Sequence, residues 1–404
     1  MDAAARALAR HFGYTGFRPG QARAVRAALA GRSALVVLPT GGGKSVCYQV
    51  PALVLDGLTV VVSPLIALMQ DQVLAARARG IAAVAVSSAM PAAARAQALR
   101  GVETGAVKLL YVAPERLASG ELIGLLRRRG VALLAVDEAH CLSEWGHDFR
   151  PAYRRLGYVR LALGRPATLA LTATATGAVR DDIVATLRLG AVERILGTFD
   201  RPNLFFAARS VAGEGERRRR LLELLKPFRG SAVVYVPTRI AAERWSRSLL
   251  HAGVIAAPYH AGLEHSVRRT VQTEFLRDQL SCVVATSAFG MGIDKANVRF
   301  VVHLGLSTSL EAYYQEAGRA GRDGRPAHCE VLWNRADVRL ARLIVPHARK
   351  LDPLLRYVTS AGCRRQMLLR HFGESLRRCG GCDRCRRWSS LWRHREVPEA
   401  TRAA

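Results

Sequence analysis

The stretch Ala34-Leu35-Val36-Val37-Leu38-Pro39-Thr40-Gly41-Gly42-Gly43-Lys44-Ser45 decides the fold. Its first four residues are apolar and predict a buried strand over 34–37. The segment that follows, 46–55, has helical character. Consecutive glycines between a strand and a helix let backbone amides converge on an anion, where bulkier residues would obstruct them. Thr40, Gly41, Gly42 and Gly43 are therefore the expected phosphate cradle. Lys44 supplies a point charge for the outer phosphates and Ser45 a hydroxyl for Mg²⁺. Leu38 stands where the strict phosphate-loop pattern has a glycine.

Short apolar runs recur at 59–62, 82–86, 109–112, 133–136 and 168–171, each suited to a strand buried on both faces. Helix-like segments such as 65–79 lie between them. The alternation pauses at Arg201-Pro202-Asn203 and restarts with 231–236, 254–257, 282–286 and 300–303. This predicts an α/β fold of two tandem parallel-sheet domains. The expected boundaries are 1–203, 204–345, a small helical cysteine-bearing module at 346–388, and a disordered polar tail at 389–404.

Of the 404 residues half are hydrophobic, enough for a sizeable core. Sixty basic residues against 32 acidic ones give a net charge of +28, which favours a polyanion, nucleic acid before a membrane surface. Only five of the cations are lysines, so part of this excess is a general Arg/Ala bias, and Arg217 to Arg220 reads as a solvated helix end. No apolar run reaches the roughly 18–20 residues of a membrane span, and residues 1–10 lack the apolar core of a secretory signal. The expected location is the cytoplasm, with no membrane partner.

The run 133–136 ends in Asp137-Glu138-Ala139-His140, placing two carboxylates where a parallel sheet presents its ligands. Asp137 would hold the Mg²⁺ shared with Ser45, and Glu138 would orient and deprotonate the attacking water. Thr172, Thr174 and Thr176 repeat hydroxyls at another strand end, either to bond the carboxylates or to cap the next helix. Arg319 and Arg322 follow a predicted helix at 310–316, three apart on one helical face, suited to reach a γ-phosphate. Cys363, Cys379, Cys382 and Cys385 offer four thiolates at Cys-x-x-Cys spacing, suited to Zn²⁺ or an iron–sulfur cluster.

Several of these segments resemble RecQ-type DNA helicases of superfamily 2. The resemblance lies in Phe17-Arg18-Pro19-Gly20-Gln21, Ser63-Pro64-Leu65-Ile66-Ala67-Leu68-Met69-Gln70, and Asp137-Glu138-Ala139-His140 with Cys141 through Arg150. It extends to Gln315-Glu316-Ala317-Gly318-Arg319-Ala320-Gly321-Arg322 and spans about 8–385. The family's phosphate loop also carries a non-glycine residue at the Leu38 position.

The resemblance implies two RecA-like domains, with Tyr14 and Arg18 sandwiching adenine and Gln21 reading its edge. It further implies that His140, Trp145, His147, Phe149 and Arg150 couple single-stranded DNA to hydrolysis, an aromatic and basic mixture suited to base stacking. Gln315 with the arginine fingers Arg319 and Arg322 would complete the catalytic set. The cysteine flanks Cys363-Arg364-Arg365 and His371-Phe372-Gly373-Glu374 favour zinc, and eleven arginines against four acidic residues over 361–404 suit DNA. Pro237 and Thr238 depart from the family's usual polar pair. Many relatives continue into winged-helix and further helical domains, so this chain is read as a short form.

The implied activity is ATP- and Mg²⁺-dependent 3′→5′ translocation on single-stranded DNA with unwinding of tailed or forked duplex. The expected state is a monomer, with a single-strand-binding protein as a partner. A DNA-stimulated translocase or remodelling ATPase is the nearest alternative. A non-catalytic zinc-dependent nucleic-acid-binding protein would predict loss of Lys44, Glu138 or Arg319, and all three are present.

Overall fold

The computed structural model describes all residues except 88–89, 118, 147, 227–229, 291–294, 346–347, 377, 380 and 386–404. The tail expectation at 389–404 thus lies outside the described residues. The chain forms two compact units, Met1–Phe199 and one beginning at Asp200.

In the first unit every strand is parallel. They are β1 (Ala34–Val37), β2 (Leu58–Val62), β3 (Ala83–Val86), β4 (Leu109–Val112), β5 (Val131–Val136), β6 (Ala167–Thr172) and β7 (Glu193–Leu196), in the order β3-β4-β2-β5-β6-β1-β7. β1, β2 and β4 are buried along their whole length, as strands covered by helices on both faces must be. The core gathers Val36, Val61, Tyr111, Leu133 and Leu169 with Tyr48 and Met69 from the helices. β6 pairs with both β1 and β5, through Val37↔Thr172 and Val136↔Ala170. That register brings Leu38, Asp137 and Thr172 to one carboxyl edge of the sheet. β7, absent from the sequence expectation, is a charged edge strand whose Glu193 pairs with Arg23 at 3.0 Å.

The second unit repeats the plan with β8 (Leu204–Ser210), β9 (Ser231–Tyr235), β10 (Ala256–Tyr259), β11 (Cys282–Ala285), β12 (Val298–Leu304) and β13 (Ala327–Trp333). All are parallel, in the order β10-β11-β9-β12-β13-β8. β8 and β13 were not expected. β13 reads Ala-His-Cys-Glu, yet His328 and Glu330 are both buried and meet at 2.7 Å. Arg220 reaches Glu330 at 2.9 Å. Burial alone would raise the Glu330 carboxyl, but bonds from His328 and Arg220 prevail and hold it at about 2. Arg217 is buried too, paired with Asp337 at 2.5 Å. The reading of Arg217 to Arg220 as a solvated face is therefore corrected for these two arginines: it missed the carboxylates on β13 and on the helix Arg335–Ile344.

The cysteine module closes the edge of this sheet. Phe206 of β8 bridges to Cys382 in parallel sense, and Asp383 N donates to Phe206 O at 3.0 Å. An exposed edge strand is thereby covered.

Candidate active site

Lys44 and Ser45 sit between β1 and the helix Val46–Val54, at the end of the glycine run. Leu38 N donates to Thr172 O at 3.1 Å, carrying the β1–β6 ladder one residue further. The Leu38 side chain is buried against Gly20 and Gly197, where a Cβ on either would come within 2.9 Å of it. A glycine at 38 would forfeit this anchor. The loop is held from outside by two side chains. Arg18 Nη1 donates to Gly41 O at 2.6 Å, and Gln21 Nε2 donates to Gly42 O and Gly43 O, each at 3.0 Å. Gln21 Oε1 in turn accepts from Arg18 N at 2.9 Å. Gly43 has φ 72°, and a Cβ there would stand 2.4 Å from Gln21 Nε2. Tyr14 is exposed and its ring stacks on Phe12 at 6.4 Å.

Asp137 ends β5, its N–H donating to Val62 O at 2.9 Å. Burial, reinforced by the Glu138 carboxylate, pushes its pKa up to about 7 against the pull of the Lys44 ammonium. Glu138 adopts a left-handed backbone, φ 47° and ψ 48°, a strained setting for a non-glycine residue at a strand end. Its Oε2 lies 3.3 Å from His140 Nδ1, which also meets Thr172 Oγ1 at 3.0 Å. Thr172 thus reaches the acidic pair through His140. Thr176 precedes the helix Gly177–Thr186 without a side-chain capping bond, so the capping reading does not hold there.

The residues after His140 form a braced loop. Arg150 N donates to Cys141 O at 3.0 Å, and Arg150 Nη1 donates to Pro64 O at 2.7 Å. Arg150 also pairs with Asp148 at 3.2 Å, and the Cys141 thiol donates to Asp148 at 3.8 Å. The Arg150 guanidinium is thus turned inward as a brace. Trp145 at the loop tip is 71 % exposed, which excludes a core role, and Phe149 is half-buried. His147 lies outside the described residues.

In the second unit the helix Leu310–Ala317 carries Gln315 and ends before Arg319 and Arg322. The two arginines occupy the turn beyond it, which corrects the expected shared helical face: Gly318 and Gly321 do not continue the helix. Arg319 is buried against Gly290, while Gln315 and Arg322 are half-buried. Thr238, a departure from the expected pattern, caps the helix Arg239–His251 by accepting from Ala241 N at 3.1 Å. The sulfurs of Cys363, Cys379, Cys382 and Cys385 lie within 4.8 Å of one another, a donor set that fits tetrahedral Zn²⁺.

Three family patterns match in order: DEAD/DEAH box helicase over 18–183, helicase conserved C-terminal domain over 216–324, and RecQ zinc-binding over 344–386. A probable ATP-dependent DNA helicase RecS of Bacillus subtilis is 40% identical over 346 residues, covering 84% of this chain and 68% of that one. The chain belongs to the RecQ helicase family. The ATP-dependent DNA helicases RecQ of Haemophilus influenzae and Bacillus subtilis are each 43% identical, over 93% and 94% of this chain. This chain spans 62% and 66% of their lengths.

The fold is shared more widely. Mycobacterium smegmatis helicase Lhr bound to ssDNA and AMP-PNP aligns with TM-score 0.64 at 22% identity, covering 84% of this chain and 48% of Lhr. DUF1998 helicase MrfA bound to DNA aligns with TM-score 0.67 at 20% identity, covering 85% and 52%. The two units are thus RecA-like, and the four cysteines lie in the RecQ zinc-binding domain.

Within this RecQ framework some residues escaped the sequence reading. Thr172 was noticed only as one of a hydroxyl series. Pro64 O, which receives Arg150, has no side-chain signal at all. Arg201 and Asn203 marked only a pause, although Arg201 donates to Gly318 O, Ala320 O and Gly321 O. A cation beside a proline at a domain boundary was the available clue.

Proposed function

We propose that this chain is an ATP- and Mg²⁺-dependent DNA helicase that moves 3′→5′ on single-stranded DNA and unwinds tailed or forked duplex. Its setting is repair and recombination in the cytoplasm, where it works as a monomer alongside a single-strand-binding protein. The observation that carries this reading is the path from the acidic pair to the exposed loop. Glu138 meets His140, and the next residue, Cys141, bonds both Asp148 and Arg150 at the base of the loop bearing Trp145.

Tyr14 and Arg18 hold adenine and Gln21 reads its edge, while Thr40 and Gly41 to Gly43 cradle the phosphates. Mg²⁺, held by Ser45 and Asp137, would neutralise phosphate charge. Glu138 orients the attacking water and accepts its proton. Lys44 stabilises charge on the transferred γ-phosphoryl group, and Arg319 and Arg322 of the second unit, with Gln315 on the helix that precedes them, are assigned the same task. Trp145 and Phe149 stack on bases, while His140, His147 and Arg150 link DNA occupancy to the carboxylates. Cys363, Cys379, Cys382 and Cys385 would hold Zn²⁺, which would tie the module together beside β8.

The test is ATP hydrolysis and strand displacement on 3′-tailed, 5′-tailed and forked duplexes. Turnover stimulated by single strands, with displacement of the 3′-tailed and forked substrates, is expected. Stimulated hydrolysis with no displacement would leave a translocase instead. Trp145→Ala should lose about tenfold of the stimulation and keep the unstimulated rate. Equal stimulation in that variant would remove the loop from the coupling path.

A further inference from the structure

The turn that carries Arg319 and Arg322 follows the helix Leu310–Ala317, whose end it closes: Gly318 N, Arg319 N and Ala320 N donate to Tyr314 O, Glu316 O and Ala317 O. Two long cationic side chains on such a turn are precise only if its backbone is fixed. The turn's own carbonyls find their donors at the start of the second unit. Arg201 Nη1 donates to Gly318 O at 3.2 Å, and Nη2 donates to Ala320 O and Gly321 O at 2.9 and 3.0 Å. Asn203 Nδ2 donates to Gly321 O at 2.8 Å and to Arg325 O at 2.9 Å. Gly321 N donates onward to Val298 O at 2.9 Å, fastening the turn to β12. Gly321 has φ 55°, and a Cβ there would stand 2.5 Å from Asn203 Nδ2, so bracket and turn are mutually fitted. A guanidinium at a helix C-terminus is also favoured by the helix dipole.

The bracket is itself held by the cysteine module. Cys363 caps the helix Arg364–His371, its sulfur accepting from Gln366 N. From that helix the buried Arg365 donates to Asp200 Oδ1 at 2.7 Å, Arg201 O at 2.9 Å and Leu204 O at 2.5 Å. His371 meets Glu311 at 2.6 Å, and the Phe372 ring lies 5.0 Å from Tyr314. One short helix thus touches both the segment that brackets the turn and the helix that leads into it.

We propose that Arg201 is a positioning residue for Arg319 and Arg322, held in place by Arg365 of the cysteine module. This rests on the reading of those two arginines as ligands of the γ-phosphate. Arg201 touches neither nucleotide nor DNA; its effect passes through the turn.

The test uses the full chain and single-strand-stimulated ATP hydrolysis. Arg201→Gln should lower kcat about 10- to 100-fold while KM for ATP changes less than about twofold, with zinc content unchanged. Arg201→Lys should recover part of the loss, and Arg365→Lys should cost about fivefold. Combined with Arg319→Lys, the Arg201→Gln loss should be smaller than the product of the two single losses, because both act through one group. A folded Arg201→Gln protein with normal kcat, or losses that multiply, overturns the proposal. Should Arg201→Gln not fold, Asn203→Ala decides. It removes a donor from the same turn and should lower kcat about three- to tenfold, and an unchanged kcat there overturns the proposal equally. Wild-type protein without ATP turnover would overturn the nucleotide-site reading itself, and this inference with it.

Discussion

The phosphate loop of the first unit and the arginine turn of the second are held by the same device. In each an arginine and a carboxamide donate to the carbonyls of a glycine-bearing turn: Arg18 and Gln21 on Gly41 to Gly43, Arg201 and Asn203 on Gly318 to Gly321. The settings differ. Arg18 is exposed, whereas Arg201 is half-buried and locked from behind by Arg365. An exposed hydrogen bond is worth only about 1 kcal/mol net, so Arg18 can exchange its contact with Gly41 O for a ligand at small cost, while Gln21 beside it is buried. In the second, Arg201 alone engages three carbonyls and is backed by a folded module. One is suited to yield when a ligand enters, the other to stay where it is.

Substitutions and pH can break or sharpen this contrast. The largest effect is expected at the loop itself: Lys44→Ala should lower ATP turnover at least about a thousandfold, about 4 kcal/mol of barrier, with DNA binding retained. Retained turnover would remove Lys44 from the site. Next, metal analysis should find one zinc per chain, and Cys382→Ser should abolish it and lower the melting temperature of the second unit while the first unit melts as before. Full zinc with unchanged melting would break the link between the cysteines and β8.

The third effect is set by charge. Glu330 is held at about 2 when folded, against an ordinary value near 4.5. The lowered folded value means the stabilisation is complete above about pH 4.5 and is lost as pH falls toward 2, about 3 kcal/mol in all. Asp137 acts in the opposite sense: its raised pKa means that, without metal, the first unit loses stability as pH climbs through about 7. Melting followed from pH 3 to pH 8 should separate the two units, and Glu330→Gln should flatten the acid limb of the second. The smallest effect belongs to the first bracket: Gln21→Ala should raise KM for ATP about tenfold and leave kcat within about threefold. A collapse of kcat instead would show that this loop, too, needs rigid positioning.

Legibility in the sequence followed chemical visibility. β1, β2, β4, β9 and β12 were readable because strands covered on both faces are continuous apolar runs. β13 was not, because His328, Glu330 and Arg220 neutralise one another only once β13, β8 and the helix Glu214–Leu225 are packed. β7 is an edge strand with a thin apolar signal, whereas β8 opens with Leu204-Phe205-Phe206-Ala207-Ala208, a buried apolar run that the reading passed over. At the site, Lys44, Asp137, Glu138 and the four cysteines lie in compact motifs whose residue types announce their chemistry. Arg150 was read as part of the basic and aromatic loop that couples DNA to hydrolysis, yet Pro64 O and Asp148 turn it inward.

The sequence by itself determined the α/β alternation, the phosphate loop, the acidic strand end, the thiolate set and the family. Each is a local pattern of residue type, and local patterns survive without coordinates. Only the tertiary structure decided what holds those patterns in register. Leu38 wedges against Gly20 and Gly197, His140 joins Glu138 to Thr172, and Arg201 brackets a turn 117 residues away in the chain. The partners of Arg201 are backbone carbonyls, which every residue carries alike. Which carbonyl meets which guanidinium is fixed only when the sheets have set the register.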